Sequence, residues 1–67
     1  MTVATQVKQT LAGLKSAQAS FETFALQTDN KSAKQMYQSA AQQTQQIVDT
    51  ISTRLQEIQN EEPQYNN

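Results

Sequence analysis

Between Ala33 and Ile58 the chain reads AKQMYQSAAQQTQQIVDTISTRLQEI, and apolar or small residues return at steps of four and three: Ala33, Tyr37, Ala40, Thr44, Ile47, Ile51, Leu55 and Ile58. That recurrence is the period of one helix face. Met36 and Val48 widen the stripe, while Lys34, Gln38, Gln42, Gln45, Asp49, Ser52, Gln56 and Gln59 fall on the opposite side. A helix with one buried and one wetted face is predicted. The stripe is graded, small at Ala33, Ala40 and Ala41 and bulky from Ile47 to Ile58. A facing helix should therefore approach closely at one end and be held apart at the other.

A second stripe precedes it. Val3, Val7, Leu11, Leu14, Ala17, Phe21 and Phe24 share a helix face, with Gln18 and Ala25 at its edge. Lys8, Lys15 and Glu22 are spaced by seven and so confine the charges of this helix to one narrow flank. The remaining outer side is small and uncharged, where a water-facing helix ordinarily mixes charges. Ala12, Ser16, Ala19 and Thr23 are its candidate second packing face; a plain surface touching only water fits the same residues. Gly13 costs about 1 kcal/mol against Ala inside a helix. With Thr10, Ala17 and Ser20 it lines one shoulder of the stripe and points to close helix approach.

Thr2 is a candidate cap for the first helix, and Gln27-Thr28-Asp29-Asn30-Lys31-Ser32 separates the two patterns. Asparagine tolerates the left-handed conformation that ends helices, and Asp29 or Asn30 can cap the helix that follows. So short a connection makes the helices antiparallel neighbours. Proline disfavours helical geometry in the residue before it, so Pro63 stops the second helix by about Asn60. The predicted fold is all-α: an antiparallel two-helix hairpin over 1–60, with helices about 3–27 and 31–60 and a polar tail over 61–67 in which Tyr65 is a candidate anchor. At ~1.5 Å per residue the helices would run ~37 and ~45 Å.

Size turns this hairpin into a question of assembly. The chain has 67 residues, a range in which a single core is marginal without disulfides, metal or oligomerisation. It has no cysteine and no histidine, which removes disulfide staples, thiol nucleophiles, zinc fingers and imidazole chemistry. Each stripe is wider than one line of helix contact, so pairing of hairpins into a four-helix bundle, most simply a two-fold dimer, is expected. Val7, Leu11, Leu14, Phe21, Phe24, Tyr37, Ile47, Ile51, Leu55 and Ile58 are the candidate self-association residues. Use of the outer face as well would give an open, filament-like stack.

Candidate chemistry subtracts more than it adds. A di-iron bundle site needs inward Glu-x-x-His pairs, and no acidic residue is central to either stripe. Glu61 and Glu62 are adjacent rather than opposed, a poor acid–base dyad, and no glycine-rich loop exists to cradle phosphate. No catalytic, metal-binding or cofactor residue is therefore assigned. The net charge of -1 gives no general attraction for nucleic acid; an RNA-binding dimer would have to use Lys8, Lys15, Lys31 and Lys34. No apolar run is long enough to span a membrane, and MTVATQVKQT lacks the apolar centre of a signal peptide, so an intracellular location without membrane insertion is expected. The thirteen glutamines are interrupted by regular apolar positions and decorate helices rather than forming a low-complexity tract. Their neutral amides leave a surface that repels its own copies little.

The segments TVATQVKQTLAGLKSAQASFETFALQT, AKQMYQSAAQQTQQIVD and EEPQY resemble a family of short proteins from endospore-forming bacteria known as domain of unknown function 1657. The likeness runs over nearly the whole chain and is most specific in AQAS, FALQT, AAQQTQ and EEPQY. It implies a small helical protein of the developing or mature spore, associated with spore resistance. It also implies a setting near spore membrane channel components, with relatives fused to a membrane module. The family brings no catalytic residues to carry over. The expected function is thus a non-enzymatic structural or scaffolding protein that assembles with itself. The alternative is an adaptor whose face of Ala12, Ser16, Ala19 and Thr23 docks on a spore membrane protein.

Overall fold

A computed structural model describes residues 3–61, which form two helices, Val3–Gln27 (α1) and Lys31–Glu61 (α2). Thr2, Pro63 and Tyr65, singled out above, lie outside the described residues. α2 passes Asn60 by one residue. The hairpin extends 50 Å along its axis and is 17 Å wide and 11 Å thick between Cα atoms, so each helix has one companion and two open sides.

The connection is closed by local bonds. Thr28 N–H donates to the Phe24 carbonyl at 3.0 Å, ending α1, and Thr28 Oγ1 accepts from Asn30 N–H at 3.2 Å. Asn30, not Asp29, caps α2: its Oδ1 accepts from Ala33 N–H at 2.9 Å, satisfying a donor with no partner inside the helix. The left-handed asparagine anticipated at the end of α1 does not occur, since no described residue has positive φ. Thr28 and Asn30 satisfy the backbone without it.

The two helices meet along a strict heptad. On α1 the buried or half-buried line is Ala4, Val7, Leu11, Leu14, Gln18, Phe21 and Ala25; on α2 it is Tyr37, Ala41, Thr44, Val48, Ile51, Leu55 and Ile58. Steps of three and four alternate without a break, the spacing of a two-stranded coiled coil. The core is Ala4, Leu11, Val48 and Leu55, against which Val7, Leu14, Ile51 and Ile58 pack. Near the loop the buried residues are Ala25 and Ala41, so the bulk lies at the far end, as the grading of α2 anticipates.

This seam differs from the expected stripes by one position at several places. Val3 and Phe24 are 60% and 44% exposed, whereas Ala4 and Ala25 are 4% exposed. On α2, Val48 replaces Ile47 in the core and Ala41 replaces Ala40. Leu55 decides the choice. A strict heptad through Ala40 and Ile47 continues to Arg54, and seating that charge in an apolar seam would cost its hydration. The heptad through Ala41 and Val48 continues to Leu55. Gly13 is the other correction: a Cβ placed there meets nothing within 4 Å, so it marks no close approach inside the chain.

Two substitutions test these assignments in opposite directions. Asn30→Ala removes the cap and should lower stability by about 1 kcal/mol. Gly13→Ala should raise it by a similar amount, because the added methyl meets open space and helix propensity improves by about 1 kcal/mol. Thermal melts followed by circular dichroism at one low protein concentration should shift by several degrees, down and up respectively. Equal melts for Asn30→Ala and the parent would remove the capping role.

Candidate self-association surface

The seam divides the hairpin surface into two broad faces of opposite character. One is bordered by every seventh residue from Val3 (Val3, Thr10, Ala17, Phe24) and from Ala33 (Ala33, Ala40, Ile47, Arg54). The other is bordered by Lys8, Lys15 and Glu22 on α1 and by Gln38, Gln45, Ser52 and Gln59 on α2. The charged flank noted in the sequence of α1 thus falls entirely on the second face. The first face carries no charge on α1 at all.

Four large side chains stand open on the first face or its rim: Val3 at 60%, Phe24 at 44%, Met36 at 57% and Ile47 at 48% exposure. Leu26 is 81% exposed but belongs to the other side. Phe24 packs edge-on against Phe21 (6.5 Å between ring centres) and tilted against Tyr37 (5.4 Å). Such pairs add roughly 0.5–1.5 kcal/mol beyond area burial, so the ring is held in place while part of it faces water. Ala17 and Ala40 are half-buried between the large residues.

Hydroxyl groups on this face are turned inward. Thr10 Oγ1 donates to the Gln6 carbonyl at 3.0 Å, Ser20 Oγ to the Ser16 carbonyl at 3.2 Å, Thr44 Oγ1 to the Ala40 carbonyl at 2.8 Å and Thr50 Oγ1 to the Gln46 carbonyl at 3.0 Å. Back-bonding of this kind uses the one donor of each group inside its own helix. What remains outward is largely methyl. Arg54 and Glu57 are the charged pair at the end away from the loop, 3.2 Å apart and both more than half exposed. An exposed pair of this spacing is worth little for stability.

The polar face is organised by amides. Gln18 Nε2 donates across the hairpin to Gln45 Oε1 at 2.8 Å and along its own helix to Glu22 Oε2 at 3.3 Å, and Gln45 Nε2 donates to Asp49 Oδ1 at 2.8 Å. A shallow groove runs beside this chain of bonds, lined by Gln18, Glu22, Leu26, Gln38, Gln42 and Gln45 over Ala25 and Ala41. Lys8, Lys15 and Lys31 are exposed and Lys34 is half-buried; they are strung along the molecule with Glu22 among them rather than gathered into a patch. Among the described residues no group of acidic side chains could hold a metal ion, and no helix is long and apolar enough to cross a membrane.

The expected self-association residues therefore separate into two sets. Leu11 and Leu55 are buried in the seam; Val7, Leu14, Phe21, Tyr37, Ile51 and Ile58 are half-buried along it, and Phe24 and Ile47 stand exposed. Ala12, Ser16, Ala19 and Thr23 are all exposed on the back of α1, with the Thr23 hydroxyl donating to the Ala19 carbonyl at 3.0 Å. Met36, which widens the stripe of α2, and Ala17, a member of the stripe of α1, belong to the first face.

In class the molecule is an all-α protein, an antiparallel helical hairpin whose seam is a heptad and whose one broad face is apolar and open. The family described as "Protein of unknown function (DUF1657)" matches residues 7–55, and the chain belongs to it. No curated protein and no solved structure matches the chain. Neither the family nor the fold gives a sign of catalytic activity.

The cross-seam amide gives its own test. Gln18 is the one polar residue among the seam positions of α1, and a polar residue at such a site trades stability for register. Gln18→Leu should raise the melting midpoint by several degrees, about 1 kcal/mol for a domain this small, since Gln45 keeps Asp49 as partner. A lower midpoint would instead make the amide a structural requirement.

Proposed function

We propose that the protein is a structural, non-enzymatic module that works by associating with copies of itself. The observation carrying this reading is that four of the five exposed large apolar residues among those described, Val3, Phe24, Met36 and Ile47, lie on or beside one face. Among the described residues the buried core comprises only six, three of them alanine, and no large side chain is fully buried. An apolar face on so thin a molecule gains most by being covered, and apolar burial contributes about 25 cal/mol per Å². A spore-forming cell as the setting rests on the family likeness alone.

Mass measured by sedimentation or native mass spectrometry across a concentration series tests the reading. Association should grow with concentration, and thermal midpoints should rise with it. Phe24→Asp combined with Ile47→Asp should weaken association by two orders of magnitude or more, about 3 kcal/mol. Leu26→Asp, on the other face, should leave association unchanged. A parent chain that remains a stable monomer at low micromolar concentration overturns the reading.

A second reading is supported by the back of α1, where Ala12, Ser16, Ala19 and Thr23 are exposed and none is charged. On this reading the face docks on a membrane-protein partner of the spore. Ala19→Arg should then abolish co-purification with that partner while helicity is retained. Retained co-purification would exclude this face.

A further inference from the structure

The geometry points to a specific closed dimer, in which a second copy lies on the apolar face with its loop at the same end. This rests on the self-association proposed above and adds its geometry. Two symmetric ways exist to stack one broad face on another. With the loops together, α1 of each copy lies over α2 of the other; with the loops at opposite ends, each helix lies over its own counterpart. All neighbouring helices are antiparallel in both, so helix direction does not choose between them.

Side-chain size does choose. The Phe24–Tyr37 ring contact and the Gln18–Gln45 bond set the register between the helices. Phe24 is thereby level with the diamond Ala33, Met36, Tyr37 and Ala40 on α2, and Ile47 is level with the diamond Thr10, Gly13, Leu14 and Ala17 on α1. Four residues at such spacing form the hole into which a facing helix inserts a knob. Stacking with the loops together carries Phe24 of one copy over the first hole of the other, and Ile47 over the second. Each protruding side chain, 44% and 48% exposed, meets a hole with small residues among its four: alanine at both ends of the first, beside Met36 and Tyr37, and threonine, glycine and alanine around Leu14 in the second. Gly13 gains a role here that it lacks in the single chain: a Cβ built on it meets nothing within 4 Å, and the floor of the second hole needs that space.

The reversed stacking matches poorly. Ile47 lies near the middle of the hairpin, so reversal sets it against its own counterpart, knob on knob. Reversal also lays Arg54 and Glu57 over Ala40 and Met36. With the loops together, that charged pair instead meets a mixed set at the same height on α1 of the other copy, Val3, Gln6, Val7 and Thr10, two of them polar. The face, about 50 by 17 Å, is comparable with the roughly 800 Å² per partner of a standard interface. The back of α1 stays outside the dimer.

Because the chain has no cysteine, cross-linking reads the geometry without a thiol background. Ala17→Cys and Ile47→Cys, each prepared in the otherwise intact chain, are mixed at a concentration well above that at which the parent associates and treated with a short thiol-specific linker. Loops together predict that the unlike product, position 17 to position 47, dominates. Loops opposed predict that Ile47→Cys joins its own counterpart, an outcome that overturns this dimer and leaves self-association standing. Absence of any dimer by mass in the parent chain overturns both. A second measurement uses shape. Gly13→Leu fills the second hole and Ile47→Ala removes its knob, so each should weaken association at least about tenfold while leaving the monomer helical. The two together should recover most of the loss. Unchanged association of Gly13→Leu, or no recovery in the double variant, overturns the knob-and-hole assignment.

Discussion

Everything in this molecule follows from the limited width of a two-stranded helical seam. Two helices can hide one heptad line each, and here those lines hold alanine at Ala4, Ala25 and Ala41, glutamine at Gln18 and threonine at Thr44. The bulky aliphatic seam residues concentrate between Val7 and Leu14 on one side and Val48 and Ile58 on the other. Near the loop the contact is thin, and stability there comes from the Asn30 cap and the Phe21–Phe24–Tyr37 ring cluster. Apolar residues that do not fit the line are displaced to one side of it. That displacement, rather than any pocket, gives the hairpin its distinct face.

The sidedness has an electrostatic counterpart. Lys8, Lys15 and Glu22 recur every seven residues and so stay on one flank along the whole of α1. Had they recurred every eight, they would have drifted around the helix and placed charge on both faces. The same seven-residue spacing that holds the seam in register therefore keeps the opposite flank free of charge. Inward-turned hydroxyls at Thr10, Ser20, Thr44 and Thr50 strengthen the contrast, since a threonine bonded to its own helix presents a methyl to its surroundings. Polar composition and apolar surface thus coexist in a chain of low mean hydropathy.

Helix type, number and direction are legible because they depend on local signals: a period of 3.5 to 3.6 and a six-residue break rich in capping residues. The seam was legible only to within one residue. Ala40 and Ala41, or Ile47 and Val48, are interchangeable to a hydrophobicity pattern, and what separates them is the fate of Arg54 two turns on. Gln18 reads as an edge residue because an amide resembles surface; its cross-seam bond to Gln45 depends on the partner helix, which no local pattern contains. Gly13 misleads for the complementary reason, since a glycine signals close approach without saying to what. The charged flank was fully legible, because it depends on spacing within one helix.

Gln18 and Gly13 together suggest how a chain this short keeps one arrangement. A seam built only of alanine and aliphatic residues would slide, because adjacent heptads look alike. The Gln18–Gln45–Asp49 chain of bonds is complete in one register only: a one-heptad slip would set Gln18 beside Gln38 or Ser52, neither followed by a carboxylate four residues on. That register sets which α2 residues stand level with Phe24 and which α1 residues stand level with Ile47. The polar pair on one face of the hairpin thereby determines the contour of the other. Specificity of this kind needs little buried area, which suits a hairpin whose described residues include six that are buried.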